Sequence, residues 1–253
     1  MGIVNVTPDS FSDGGLHPRA PEAIAHARRL VAEGADIIDV GGESSRPGAE
    51  PVDVATELSR VLPVVTALAG DIRVSIDTAK AEVAREAVAA GASLLNDITA
   101  TLHPLAAELD VGWVAMHMQG EPRTMQADPR YEDVVGEVTD HLVARAEAAR
   151  EAGVPEIWID PGIGFGKTPA HNWALLAAIP RLVETGWPVA VGTSRKGFLG
   201  RATAAADGTD EVASANDRLE ASVATAVRAA LDGVRMVRVH DVAATVTALR
   251  AAA

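Results

Sequence analysis

The sequence predicts an α/β fold, a single-domain (β/α)8 TIM barrel spanning residues 1–253. Short apolar runs alternate with amphipathic helical stretches along the whole chain. The runs number eight in 253 residues, about 31 residues per unit, which is the usual spacing of such a barrel. Every run also ends in polar or ionisable residues. A closed barrel gathers all such ends at one mouth, whereas an open doubly wound sheet would spread them along an edge.

The strands are expected at 2–6, 36–40, 73–76, 93–96, 113–117, 157–160, 189–192 and 236–240. They are nearly continuous in Val, Ile and Leu, as strands covered on both faces are. Helical patterns fill 21–33, 55–68, 80–90, 132–152, 171–184 and 215–232. Pro21 suits a first helical turn, and Gly34, Gly91, Gly153 and Gly186 suit helix stops. Two stretches read as long loops: 119–133, polar and carrying Pro122 and Pro129, and 200–217, rich in Ala, Asp and Gly.

Composition excludes several classes. With 48% apolar and 23% charged residues, the chain is neither disordered, collagenous nor coiled coil. Aromatics make up 3%, so Ala, Val, Leu and Ile must fill the core. There is no cysteine, hence no disulfide, thiolate metal site or cysteine nucleophile. The apolar runs are too short to span a bilayer and no secretory signal pattern follows Met1, so a cytoplasmic location is expected. A net charge of −13 argues against a nucleic-acid surface. A bound anion would need a local cluster working against that field.

The strand ends supply two such groups. Asp77, Asn96 and Asp160 end strands three, four and six. They offer acceptors and one amide, which suits a flat ligand with several N–H donors, such as an aminopyrimidinone ring. A carboxylate facing a ring N–H and an exocyclic amine makes a paired hydrogen bond. Arg238, His240, Asn5, Ser45 and Arg46 come from strands eight, one and two and suit a phosphate or pyrophosphate. A heterocyclic phosphate ester fits both sides. Asp9, Asp13 and Asp97 read instead as turn formers.

Three features point elsewhere and are set aside. Gly162-Ile-Gly-Phe-Gly-Lys167-Thr168 is one residue short of a phosphate-binding P-loop. His117, between Met116 and Met118 on an apolar strand, reads as a packed side chain rather than a metal ligand. Ser10, Ser12, Ser44 and Ser45 have no base at a convincing spacing for a serine hydrolase.

Eight segments together carry a family resemblance. They are the opening Met1-Gly-Ile-Val-Asn-Val-Thr-Pro-Asp-Ser-Phe-Ser-Asp-Gly-Gly15, Asp39-Val-Gly-Gly-Glu-Ser-Ser-Arg-Pro-Gly48, Ser75-Ile-Asp-Thr78, Asn96-Asp97-Ile98, Met116-His-Met-Gln-Gly120, Asp160-Pro-Gly-Ile-Gly-Phe-Gly-Lys167, Ser194-Arg-Lys196 and Arg238-Val-His-Asp241. In that order the chain resembles the dihydropteroate synthase family over essentially its whole length. The resemblance implies a transferase of folate biosynthesis, a homodimer that uses Mg2+, and sulfonamide sensitivity, because the Phe-Gly insertion of resistant members is lacking. It implies condensation of 6-hydroxymethyl-7,8-dihydropterin pyrophosphate with 4-aminobenzoate through a pterin cation.

By the same resemblance, Asp77, Asn96, Met116, Asp160 and Lys196 match pterin-binding positions. Asn5, Ser45, Arg46, Arg238 and His240 match pyrophosphate contacts, with Asn5 also the metal-contacting position. Phe11, Pro47, Phe165 and Lys196 match the aminobenzoate site. The catalytic set would be Asp77, Asp160, Lys196, Arg238 and His240. The loops with Gly14-Gly15 and Gly41-Gly42 are expected to close over the site, and helices six to eight to form the dimer surface. Ser45 stands where many members have Thr, which keeps the hydroxyl. Gly197 stands where several have Ser or Arg contacting the aminobenzoate carboxylate, leaving a backbone N–H and a helix N-terminus for that task. The alternatives are a catalytically silent pterin-binding paralogue, marked by lost motif residues, and a corrinoid-linked pterin methyltransferase, which would have no use for the Arg238 and His240 pair.

Overall fold

In the computed structural model, which describes residues 1–7, 20–46 and 48–252, the strands close into a parallel barrel. Strands β1 (Gly2–Asn5), β2 (Ile37–Gly41), β3 (Arg73–Asp77), β4 (Leu94–Asp97), β5 (Gly112–Met116) and β6 (Ile157–Asp160) pair in sequence order. Strands β7 (Ala190–Val191) and β8 (Met236–Val237) form a parallel pair. Two single bridges, Ile159 with Val189 and Gly2 with Val239, close the ring. At these seams Ile159 N–H donates to Pro188 O and Ile3 N–H to Val239 O, each at 3.0 Å.

The helices α1 (Ala20–Ala32), α2 (Val54–Leu68), α3 (Ala81–Ala89), α4 (His103–Glu108), α5 (Val134–Glu151), α6 (Pro169–Ala177), α7 (Ile179–Val183), α8 (Gly197–Ala206), α9 (Leu219–Leu231) and α10 (Val242–Ala252) follow the strands. Side-chain caps start several: Asp53 accepts Thr56 N–H at 2.7 Å, and Thr168 and His171 form a capping box. The expected stops hold. Gly91, for example, takes φ +115°, a conformation costly for any residue with a Cβ. None of the helices among the described residues is long and apolar enough to cross a membrane.

Three expectations need correction. The stretch 200–217 is not all loop, because α8 runs to Ala206 with Phe198, Leu199 and Ala204 buried. Its alanine-rich face has no bulky stripe to betray it. The pattern over 171–184 breaks at Ala178, just before Pro180, which lacks an N–H, so α6 and α7 are separate. The pattern over 215–232 opens with a 3-10 turn, Ala215–Arg218, before α9. The loop 119–133 carries no regular element, as expected.

Strand register decides what faces inward. Side chains alternate along a strand, so partners in register share a face. Outward residues such as Val40, Ile76, Leu95, Trp113 and Ile159 are fully buried in the core formed with the helices. Inward residues change character along the barrel axis. Near the floor, Ile37, Leu94, Val114, Ala190 and Met236 form an apolar cluster. Arg73 forms an ion pair with Glu156, whose Oε1 also accepts from Trp158 Nε1 at 2.7 Å. Higher up, the rows become polar: Asp39 is in register with Ser75, and Gly41 with Asp77, itself in register with Asn96.

Gly112 shows how full the floor is. A Cβ there would lie 2.8 Å from Leu94 Cδ1, 3.0 Å from Glu156 Oε2 and 3.1 Å from Arg73 Nη2. Gly112→Val should therefore lower stability by roughly 1–3 kcal/mol, as overpacking does. Thermal denaturation checks it, and an unchanged melting temperature would show that the floor has spare room.

Candidate active site

The inward polar residues meet in one hydrogen-bonded set. Arg238, one residue past β8, donates through Nε to Asp39 Oδ2 at 2.6 Å and through Nη2 to Asp77 Oδ2 at 2.7 Å. Asn96 Nδ2 donates to the same Asp39 oxygen at 2.9 Å. Three strands and the end of β8 thus converge on two carboxylates. Both bonds of Arg238 are charge-assisted, the stronger kind. Although burial works against its charge, Asp39 and Asp77 raise its pKa, so it remains a cation. Burial pushes the Asp77 carboxyl up to about 7, against the pull of Arg238.

Asp160 stands at the end of β6 in register with Met116, and both are buried. Its Oδ1 accepts Gly162 N–H at 2.7 Å. That turn depends on glycine: Gly162 has φ +62°, and a Cβ there would sit 1.8 Å from His117 O. Burial raises the Asp160 pKa, opposed by Lys196. Burial in turn lowers Lys196 to about 8, with Asp160 resisting. Lys196 Nζ donates to Ile163 O and lies 4.8 Å from the centre of the Phe165 ring. It stands at the N-cap position of α8, which starts at Gly197, without a side-chain capping bond.

Past β8, His240 Nδ1 lies 3.0 Å from Ser194 Oγ, and its backbone N–H donates to that oxygen at 3.1 Å. Burial, then Arg238 and Arg195, lower its pKa to about 3, so the ring is neutral. Asn5 ends β1 beside Asp77: a Cβ on Gly41 would lie 3.7 Å from Asn5 Oδ1 and from Asp77 Oδ2 alike. Ser45 is half-buried and Arg46 exposed in the loop after β2. Glu43 holds that loop by accepting Val52 N–H at 3.0 Å and pairing with Lys80, which also binds the buried Glu57. Phe11, Pro47, Asp9, Asp13 and Gly14-Gly15 lie outside the described residues. Of the other expected loop glycines, Gly41 ends β2 and Gly42 is tightly packed: a Cβ on Gly42 would meet Val61 at 2.7 Å.

Asp97 is the turn former it was expected to be, accepting the N–H groups of Thr99, Thr101 and Leu102 at 2.7–2.9 Å. His117 does more than pack. Lys167 Nζ lies 2.9 Å from His117 Nδ1 and donates to His117 O at 3.2 Å and Phe165 O at 2.9 Å. Lys167 is therefore an internal clamp between two loops, not the lysine of a phosphate loop. Sequence reasoning also gave no role to Asp39, an acid inside an apolar strand. That anomaly was its signal.

A model of pterin binding enzymes matches residues 1–240. The dihydropteroate synthase of Mycobacterium leprae is 49% identical over 99% of this chain and 90% of its own length. The chain belongs to the dihydropteroate synthase family. Two solved members of that family share the barrel. The Xanthomonas albilineans dihydropteroate synthase with 4-aminobenzoic acid gives a TM-score of 0.90 at 49% identity, covering 99% of this chain and 90% of that one. The Yersinia pestis dihydropteroate synthase with a sulfonamide drug gives 0.91 at 43%, covering 100% and 92%. Dihydropteroate synthases are transferases of folate biosynthesis.

The Lys167 clamp has a measurable signature. Burial, then Lys196, lower its pKa from 10.5 to about 7. Between those values the unfolded chain holds more protons than the folded one, so this group makes stability rise with pH from about 7 to 10.5. Lys167→Met should flatten that rise. Denaturant midpoints at neutral and alkaline pH measure it, and an unchanged slope would show that the amine stays charged in the fold.

Proposed function

We propose that the chain condenses 6-hydroxymethyl-7,8-dihydropterin pyrophosphate with 4-aminobenzoate, yielding 7,8-dihydropteroate and pyrophosphate. The observation that carries this reading is the shared arginine. Arg238 binds Asp39 and Asp77 on the acid side, and its charge also helps to lower the pKa of His240, two residues on. In this reading Asp77, Asn96 and Asp160 bind the aminopyrimidinone edge, Met116 lines the ring and Lys196 donates beside it. Asn5, Ser45, Arg46, Arg238 and His240 hold the diphosphate. Phe165 and Lys196, with Phe11 and Pro47, take the 4-aminobenzoate.

The reaction then needs little proton transfer. The bond between the pterin methylene carbon and the diphosphate oxygen breaks, and its electron pair leaves with pyrophosphate. The cation left on the methylene is delocalised into the ring and favoured by the carboxylates of Asp77 and Asp160. The aryl amine, unprotonated at neutral pH, forms the new C–N bond and loses one proton to water. Arg238 serves both halves, because it meets the departing anion while remaining tied to the acids below.

Magnesium fits the anion side. Mg2+ commonly takes one or two protein oxygens, with the rest from phosphates and water. Asn5 would supply an amide oxygen, and the ion would offset charge on the departing diphosphate. A homodimer fits the groove between α9 and α10, lined by Leu219, Val223, Val227 and Leu231. Leu231 is 65% exposed there. A cytoplasmic location goes with these soluble substrates. The silent-paralogue alternative is disfavoured because the motif residues of both sides are kept, and the methyltransferase alternative leaves Arg238 and His240 idle.

A coupled pyrophosphate-release assay tests the reading. Release should require 4-aminobenzoate, and Asp160→Asn should reduce it by about 10²–10³-fold, the scale of losing an electrostatic contact to the transition state. A sulfonamide should inhibit, and excess 4-aminobenzoate should reverse it. Release without the amine, or an undisturbed variant, would overturn the assignment.

Gly197 gives a second test. A Cβ there would meet nothing within 4 Å. Gly197→Ser should lower KM for 4-aminobenzoate by about 2–10-fold, the worth of one hydrogen bond. A higher or unchanged KM would place the carboxylate elsewhere.

A further inference from the structure

The acid inside β2 has no assigned task in the reaction above. We propose that Asp39 is a positioning residue. Through one carboxylate oxygen it fixes both the guanidinium of Arg238 and the amide orientation of Asn96, and so holds the anion side and the ring side of the mouth in register. The proposal rests on the function proposed above, because it concerns the same two sides.

Asp39 is fully buried. Its Oδ2 accepts from Arg238 Nε at 2.6 Å and from Asn96 Nδ2 at 2.9 Å. Its Oδ1 is also buried and takes no hydrogen bond among the described residues. A single oxygen therefore joins two residues that arrive from β4 and from the end of β8, on opposite sides of β2 in the barrel.

The chemistry of that oxygen sets a direction. A carboxylate only accepts. The group of Asn96 that faces Asp39 must then be its NH2, and its carbonyl oxygen must turn the other way. Asn96 is in register with Asp77, whose carboxylate is held by the other arm of Arg238 at 2.7 Å. The ring side thus presents two acceptors next to each other, the Asp77 carboxylate and the Asn96 carbonyl. That pattern selects a ligand edge with adjacent N–H donors and rejects one with adjacent acceptors. Asp39 writes this pattern without touching the ligand, and the same bond restrains the guanidinium that faces the anion.

Positioning and simple charge give opposite signs. Removing a negative charge beside Arg238 would by itself strengthen anion binding. Losing the anchor would weaken it. The probes are inorganic pyrophosphate and 6-hydroxymethylpterin lacking the diphosphate, each titrated by calorimetry into the full chain. Asp39→Ala should weaken both at least tenfold and raise KM for the pterin pyrophosphate, leaving KM for 4-aminobenzoate within twofold. Asp39→Asn should recover part of the loss, since its carbonyl oxygen can accept the same two bonds without the charge. In the unmodified chain, pyrophosphate alone should shift the NMR signals of the Asn96 side-chain amide, because the two residues share one oxygen. That measurement decides the matter if Asp39→Ala does not fold. Tighter pyrophosphate binding in Asp39→Ala, equal losses in the Ala and Asn variants, or an Asn96 amide that ignores pyrophosphate would overturn the proposal. If the unmodified chain binds neither probe, the reading of the site fails, and the role of Asp39 fails with it. If it binds both and Asp39→Ala binds them equally well, only the role of Asp39 fails.

Discussion

Closing eight parallel strands into a ring constrains everything at the mouth. Parallel strands end at the same rim, so residues far apart in sequence are forced together whatever their chemistry. The closure is narrow, because β7 and β8 pair over two residues each and meet their neighbours through single bridges. Arg238 lies just past that short strand, and its backbone N–H donates to Val191 O on β7 at 2.9 Å. Its reach to Asp39 and Asp77 therefore also ties the last strand to the second and third. The contact that organises the site helps to close the barrel.

Gathering charge in a desolvated space is expensive unless each charge has a partner. Here Asp39 and Asp77 share Arg238, while Asp160 and Lys196 oppose each other's shift. The pairing is incomplete by design of the geometry: Asp77 keeps a raised pKa, and Lys196 spends its ammonium on a carbonyl. Under the function proposed above, these groups await a ligand that supplies what the protein does not. His240 differs, because burial and the nearby arginines keep its ring neutral, so it adds a polar group without adding charge.

Much of this was legible in the chain. The alternation of apolar runs and helices located all eight strands to within a few residues, since that pattern follows from burial on both faces. The polar strand ends named Asp77, Asn96, Asp160 and Arg238, because polar residues closing an apolar run are conspicuous. Asp97 read as a turn former because an Asp after a strand usually is one, and its carboxylate does accept three turn N–H groups. What stayed hidden was non-local. The role of Asp39 depends on register with β3 and on a partner from the far end of the chain. The Lys167 clamp depends on two loops meeting, and its glycine-rich setting pointed to a phosphate loop. Helix α8 escaped because small residues bury well without forming a visible stripe.

The packed floor of the barrel has a consequence for traffic. Among the described residues, the Arg73–Glu156 pair and the apolar cluster fill the barrel beneath Asp39, so the polar residues above face the rim. Such a site works as a stack. Under the function proposed above, a molecule that reaches Asp77 and Asn96 from the rim would arrive before anything that seats nearer the rim, and would depart after it. A small fragment released at the rim can leave at once, whereas a joined product must back out whole. Under that reading the order of arrivals and departures would follow from the packed floor beneath the site.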